Sequence, residues 1–285
     1  MSSNYRPEMT NSGLSPTCAV LATDEYQNTR ELHIAEERPL TIYIDSYEIV
    51  TLMTLGTQPE ILALGYIKNQ GLVSDLKEIK SVQVDWDVNA VAITSFSGRD
   101  DWTDKLGPRI VTTGCGQGTV FGNIMEELDE LDIQGFDIKQ SDLYALLRNL
   151  SSNNEVYKNA GAVHGCALCH ETESLIFIED VGRHNAVDAI AGKMWLENIS
   201  GDDKIFYTTG RLTSEMVIKV AQMKIPVLLS RSGLTQMGLN LARDLNITLL
   251  SRAKNKHFLI YNGKENIVFD TELPPKLEVA NIKKD

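Results

Sequence analysis

From Ser174 to Met194 the chain reads SLIFIEDVGRHNAVDAIAGKM, and this order of residue types leaves few folds open. Residues 175–178 form a continuous apolar run, which predicts a buried strand. The run stops at Glu179 and Asp180, and Gly182, Arg183, His184 and Asn185 follow with no apolar residue among them. Ala186, Val187, Ile190, Ala191 and Met194 then recur at helical spacing. Strand, polar turn and helix make half of a βαβ unit, and open α/β sheets bind ligands at the turn beyond a strand's carboxyl end. A glycine, a permanent cation, an imidazole and an amide are more than a chain reversal needs. The turn reads as a binding site.

The pattern continues. An apolar run at 205–207 leads through residues 208–214 to a helix carrying Met216, Val217, Val220 and Ala221. Another at 227–229 leads through Ser230-Arg-Ser-Gly233 to a helix with Leu234, Met237, Leu241 and Leu245. A strand at 247–250 then enters a basic loop, Arg252-Ala253-Lys254-Asn255-Lys256-His257, and residues 258–261 read as a closing strand. Such repetition predicts an α/β fold with a mostly parallel sheet covered by helices.

Upstream the pattern is different. Residues 38–100 show alternating runs and one helix, a small α+β region. Thr57-Gln-Pro-Glu60 resembles a capping box at that helix's start. Residues 109–113 suggest a strand leading into Gly114-Cys-Gly-Gln-Gly118, with a helix through Ile124, Met125, Leu128 and Leu131 after it. The expected organisation is a mobile tail over 1–30, an α+β region over 31–108, an α/β core over 109–270 and a C-terminal tail over 271–285.

Arg183, Arg211 and Arg231 each fall just after an expected strand, in a turn containing Gly182, Gly210 or Gly233. Helix N-termini offer free N–H groups and arginine offers a two-pronged donor, both suited to phosphates. If the strands are parallel, the three turns lie on one sheet edge. The plainer alternative makes the Ser and Thr residues there ordinary helix caps and pairs the arginines with surface acids. Neither a GxGxxG nor a GxxxxGK[ST] pattern is present.

The formal charge of -12 over 285 residues argues against general affinity for nucleic acid or membrane surfaces. The imbalance is confined to residues 1–142, with 10 Lys and Arg against 23 Asp and Glu, whereas 143–285 hold 17 against 16. An anionic ligand is better received by the second half. There is no basic segment followed by an apolar run at the start, and four cysteines are too few for a disulfide framework. A cytoplasmic protein with reduced thiols is expected.

Cys115 stands between glycines that uncover the thiol and turn backbone N–H groups toward it, an arrangement favouring thiolate; a tight turn with an incidental small residue is the alternative. His164-Gly-Cys-Ala-Leu-Cys-His170 has CxxC spacing with flanking histidines. Four ligands within seven residues rarely reach one tetrahedral zinc. Their apolar neighbours favour cysteines acting as small core residues, with a redox or sulfur-relay role as the alternative. No resident metal is expected.

With these residues in place, the chain resembles the formate dehydrogenase accessory sulfurtransferase family (FdhD/NarQ) from about Arg38 to Tyr261. The likeness rests on Glu37-Arg-Pro-Leu-Thr-Ile-Tyr43, Gly161-Ala-Val-His164, Glu179-Asp-Val-Gly-Arg-His-Asn-Ala-Val-Asp188, Gly210-Arg211 with Ser214-Glu-Met216, and Ile225-Pro-Val-Leu-Leu-Ser-Arg-Ser232. The resemblance implies a cytidine-deaminase-like layered α/β fold and a homodimer. It implies that a cysteine desulfurase loads a persulfide onto Cys115, whose sulfur passes to the Mo-bis(molybdopterin guanine dinucleotide) needed by the formate dehydrogenase catalytic subunit. It also implies cofactor contacts along Arg252, Ala253, Lys254, Asn255, Lys256 and His257. With Arg183, His184, Asn185, Arg211 and Arg231 these make the expected binding set, and His164 a local acid or base. One departure stands out: the family's loop has the form Cys-Gly-x-Cys-Gly, and Gly118 occupies the place of its second cysteine. Either Cys115 acts alone, or Cys166 or Cys169 assists, or the chain is a non-catalytic chaperone of the cofactor.

Overall fold

The computed structural model describes residues 5–98, 128 and 131–272. Cys115 and its glycine-rich loop lie outside the described residues. Among those described, no helix is long and apolar enough to cross a membrane.

The N-terminal region begins with β1 (Glu8–Met9), β2 (Thr17–Thr23), β3 (Thr29–Ala35), β4 (Arg38–Ile44) and β5 (Tyr47–Thr54). It continues through helix α1 (Pro59–Asn69) to β6 (Ile79–Asp85) and β7 (Ala90–Ser95). Five of these strands form one sheet in the order β1-β6-β7-β4-β5. Alternation makes it: Leu40, Ile42 and Ile44 are buried while their neighbours are not.

Residues 5–30 of the expected mobile tail are instead ordered structure. Strand β1 pairs in parallel with β6, Trp86 Nε1 donates to the Ser12 carbonyl at 2.6 Å, and Thr10 Oγ1 donates to Glu60 at 2.7 Å. Strands β2 and β3 form a hairpin in register from Thr17↔Ala35 to Thr23↔Thr29. The hairpin is solvated along most of its length, with Leu21, Leu32 and Ile34 exposed, so its apolar residues mark no core-facing side. Glu60 likewise departs from its expected capping role. Residue Gln58 caps α1 without a side-chain bond, and the Glu60 carboxylate accepts from Thr10 and from the Ser12 N–H.

The second region opens with β8 (Ile138–Lys139), helix α2 (Gln140–Leu150) and the short helix α3 (Glu155–Ala160). Then come β9 (His164–His170), β10 (Glu173–Asp180), α4 (Arg183–Glu197), β11 (Ile205–Thr208) and α5 (Ser214–Gln222). The region ends with β12 (Val227–Ser230), α6 (Gln236–Asp244), β13 (Thr248–Lys254), β14 (His257–Asn262) and β15 (Ile267–Val268), which pairs with β8. The main sheet runs β10-β9-β11-β12-β13-β14. Its β11-β12-β13 centre is parallel, and β9 and β14 run antiparallel to their neighbours. The fold is α/β, with a mixed main sheet. Since β9 opposes both β10 and β11, those two point the same way as β12 and β13.

The sheet is covered on both faces. Cys166, Leu168, Phe206, Leu228 and Leu249 join α1, α4, α5 and α6 in one core. Ala167, Cys169, Tyr207, Leu229 and Leu250 meet Leu143, Leu146 and Leu147 of α2 in a second. The first core also takes in Leu40, Ile42 and Val91, so the two regions share one interior. Helices α1 and α4 touch backbone to backbone at its centre. A Cβ on Gly65 would come within 1.6 Å of the Asp188 carbonyl oxygen, and one on Gly192 within 2.1 Å of the Ile61 oxygen. Only glycine allows that approach.

Candidate functional site

Four strand ends meet on one edge. Strands β10 to β13 deliver residues 181–182, 209–213, 231–235 and 255–256 there. Strand β9 brings its beginning to the same edge, with His164 opposite Asp180. Backbone bonds stitch the turns together: Thr209 N–H donates to Gly165 O, Arg231 N–H to Thr208 O, and Arg252 N–H to Ser232 O. Ser230 Oγ adds a 2.6 Å bond to the Gly210 carbonyl. Gly210 also leaves room for Arg183, whose Cδ would lie 2.6 Å from any Cβ there.

The turn after β10 borders a cleft of about 370 Å³ walled by Glu37, Met53, His164, Gly182, Arg183 and His184. Its floor is anchored to the N-terminal sheet. Asp180 accepts from Thr54 Oγ1 at 2.5 Å and from the Leu55 N–H at 3.3 Å on one oxygen. Its other oxygen accepts from Asn185 Nδ2 at 2.9 Å and the Gly182 N–H at 3.2 Å. Asn185 Nδ2 also donates to Met53 O at 2.6 Å. That amide nitrogen fixes the turn to β5.

Behind the cleft lies a buried polar ladder between α4 and α5. His184 Nε2 stands 3.2 Å from Glu215 Oε2, and one helical turn on Lys219 Nζ donates to Asp188 Oδ2 at 2.7 Å. Asn69 Nδ2 of α1 donates to the other Asp188 oxygen at 2.7 Å. Each helix supplies partners four residues apart, so the rungs stack on one face. Burial pushes the His184 pKa from 6.5 down to about 2, helped by the charges of Lys219 and Arg183. The imidazole is therefore neutral near pH 7. Burial, with Arg183 and Arg211 nearby, also lowers His164.

His164 is shared with a second cleft of about 350 Å³, bordered by Asn154, Tyr157, Thr209, Arg231 and Ser232. A third, of about 260 Å³, shares Asn154, Tyr157 and Arg231 with it and reaches Tyr207, Lys254 and Asn255. A fourth, near Arg148 and Lys256, shares Ser151 and Asn255 with the third. These adjoining hollows follow the sheet edge as one groove. At about 4.8 Å per strand, the five strands from β10 to β13 give it a span of roughly 20 Å. Its cations and turn N–H groups suit an elongated anionic ligand.

The FdhD/NarQ family model matches residues 35–268. The chain belongs to the FdhD/NarQ family. Curated relatives named "Sulfur carrier protein FdhD" include one from Listeria monocytogenes, 29% identical over 83% of this chain and 92% of that protein. Another, from Wolinella succinogenes, is 28% identical over 85% and 82%. Among solved structures, a proposed formate dehydrogenase accessory protein from Desulfotalea psychrophila is similar with a TM-score of 0.70 at 25% identity, over 88% of this chain and 98% of that one.

In this FdhD/NarQ chain the expected binding residues divide. Arg183 and His184 line the first cleft, Arg231 the second and third, Lys254 and Asn255 the third, and Lys256 the fourth. Arg211 is exposed in its turn. The basic stretch is no loop: Arg252, Ala253 and Lys254 end β13, and Asn255 and Lys256 make a tight turn into His257 of β14. A bulge there, with Arg252 at φ 51°, sends Arg252 to a separate hollow beside Thr235 and Tyr261. Ala253 is fully buried and packs into the core. His257 is exposed opposite Lys254.

The CxxC pair separates across the sheet. Three residues apart on a strand, Cys166 and Cys169 face opposite sides and join different cores. Burial raises the Cys166 pKa to about 12 and raises Cys169 too, so both favour the unreactive thiol. Among the described residues no group of three or more His, Cys, Asp or Glu is placed to hold a metal. Sequence reasoning passed over Asn154, Tyr157 and Thr209. The first two precede an antiparallel strand, and a search confined to turns after parallel strands does not reach them.

Proposed function

We propose that this chain is a cytoplasmic sulfur carrier for formate dehydrogenase, acting as a homodimer. Cys115 thiolate attacks the outer sulfur of a persulfide on a cysteine desulfurase. The donor's S–S bond breaks, its electron pair leaves on the donor thiolate, and Cys115 keeps the sulfane sulfur. The acceptor is Mo-bis(molybdopterin guanine dinucleotide), carried in the groove as substrate for delivery to the catalytic subunit. Arg183, Arg211, Arg231 and Lys254 hold its phosphates, and neutral His164 is the proton acceptor nearest the shared wall of the first two clefts.

The observation that carries this reading is the convergence of cation-bearing strand ends on one edge in a member of a family whose curated relatives are named sulfur carriers. The buried state of Cys166 and Cys169 leaves Cys18 and Cys115, and of these only Cys115 stands in the glycine-flanked loop that matches the family's sulfur-carrying loop. Intact-protein mass spectrometry after incubation with a desulfurase and cysteine tests it. The wild type should gain the mass of one sulfur and Cys115→Ala none, with GDP binding retained in both. Gly118 in place of a second loop cysteine favours one further reading, a chaperone that holds the cofactor without carrying sulfur. Wild-type protein that binds GDP yet gains no sulfur would establish that alternative.

A further inference from the structure

We propose that Tyr157 is the stacking platform for the flat base of a nucleotide whose phosphates lie against Arg231. The inference rests on the reading of the groove as a nucleotide site and goes on to name what holds the ring. Tyr157 is an aromatic side chain left 54% exposed. It stands on α3, just before β9, at the boundary of the second and third clefts. Arg231 lies on that same boundary, so one partition carries an aromatic ring and a guanidinium together.

Both groups are firmly mounted. The two oxygens of Glu179 accept from the Val156 and Tyr157 N–H groups, each at 2.9 Å. Glu179 is itself buried at the end of β10, so a sheet strand fixes the backbone beneath the ring. Arg231 is tethered from below by the buried hydroxyl of Tyr207. A platform anchored in this way gives up little conformational freedom on binding. The clefts on either side, about 350 and 260 Å³, fall together within the range of small-molecule sites, roughly 300–1,000 Å³.

The chemistry selects the ligand class. An aromatic face accepts any planar base, and a guanidinium fork beside it accepts phosphate oxygens. Net charge of -12 disfavours a long polyanion, so a free nucleotide or a dinucleotide group fits better than nucleic acid.

Calorimetric titration of the full-length protein with GDP and with inorganic pyrophosphate tests the assignment. Tyr157→Ala should weaken GDP about 5- to 100-fold and leave pyrophosphate unchanged, as expected for one lost stacking contact. Tyr157→Phe should bind GDP within about twofold of wild type, because it keeps the face. Arg231→Ala should weaken both probes. The platform is overturned if Tyr157→Ala binds GDP like the wild type or loses both probes equally, or if Tyr157→Phe fails as Tyr157→Ala does. A wild-type protein that binds neither probe removes the nucleotide reading itself, an outcome distinct from a bound GDP indifferent to Tyr157.

Discussion

His184 shows how a motif residue serves a site while facing away from the solvent. Its ring is 4% exposed, and it resists protonation where the unfolded chain's histidine accepts a proton at about 6.5. The unfolded state therefore binds more protons as pH falls from about 6.5 toward 2, and the His184 contribution to stability is lost over that window. The buried carboxyls of Asp180 and Asp188 are raised by burial and act with the opposite sign at low pH. Comparison with His184→Gln isolates the histidine. Urea unfolding at about pH 7 and pH 5 should show the wild type losing more stability than the variant over that interval; equal losses would refute the buried neutral ring. The sequence made the polar character of Gly182–Asn185 plain but not its structural share: Asn185, expected to touch ligand, lines the first cleft and also holds Asp180 and Met53 O through Nδ2. A polar side chain in a turn looks the same in sequence whether its partner is a ligand or a strand 132 residues away.

Among elements, the crossing of α1 and α4 is the most exacting. Alanine favours helices over glycine by about 1 kcal/mol, so Gly192→Ala would stabilise a free helix. Here its Cβ meets the Ile61 oxygen at 2.1 Å and the Gly65 nitrogen at 2.8 Å, all backbone atoms that cannot turn aside. The clash wins. Gly192→Ala should cost about 1–3 kcal/mol or more, read as a lower denaturant midpoint, and an unchanged midpoint would mean the helices do not touch so closely. Elements dry on both faces were legible: residues 205–207 and 227–229 announced β11 and β12 through unbroken apolar runs. The β2–β3 hairpin was not, because its strands bury no residue and so set no dry face against a wet one. The six-residue α3, with no buried residue, gave no helical stripe to find.

At the scale of the whole molecule, the described residues build two main sheets, five- and six-stranded, around one shared core, with two two-stranded sheets beside them. The sequence divided it near residue 108 because the strand patterns change there. Long-range contacts bridge that division: Thr54 with Asp180, Asn69 with Asp188, and Gly65 with Gly192. A chain beginning at Ile138 would bare the α1-facing side of α4 and strip Asp180 of Thr54 and the Leu55 N–H, and Asp188 of Asn69. It should show no cooperative thermal transition by circular dichroism; a sharp transition would make the second region a domain in its own right. The groove follows from the mixed sheet. Three arginine turns arise from strand–helix units whose geometry is set by the helices behind them. The wall with Asn154 and Tyr157 arises differently, from the segment feeding antiparallel β9, and no crossover helix constrains its length. That segment can therefore be lengthened, shortened or rewritten so as to reshape one wall of the groove, while the strand ends behind it keep their places.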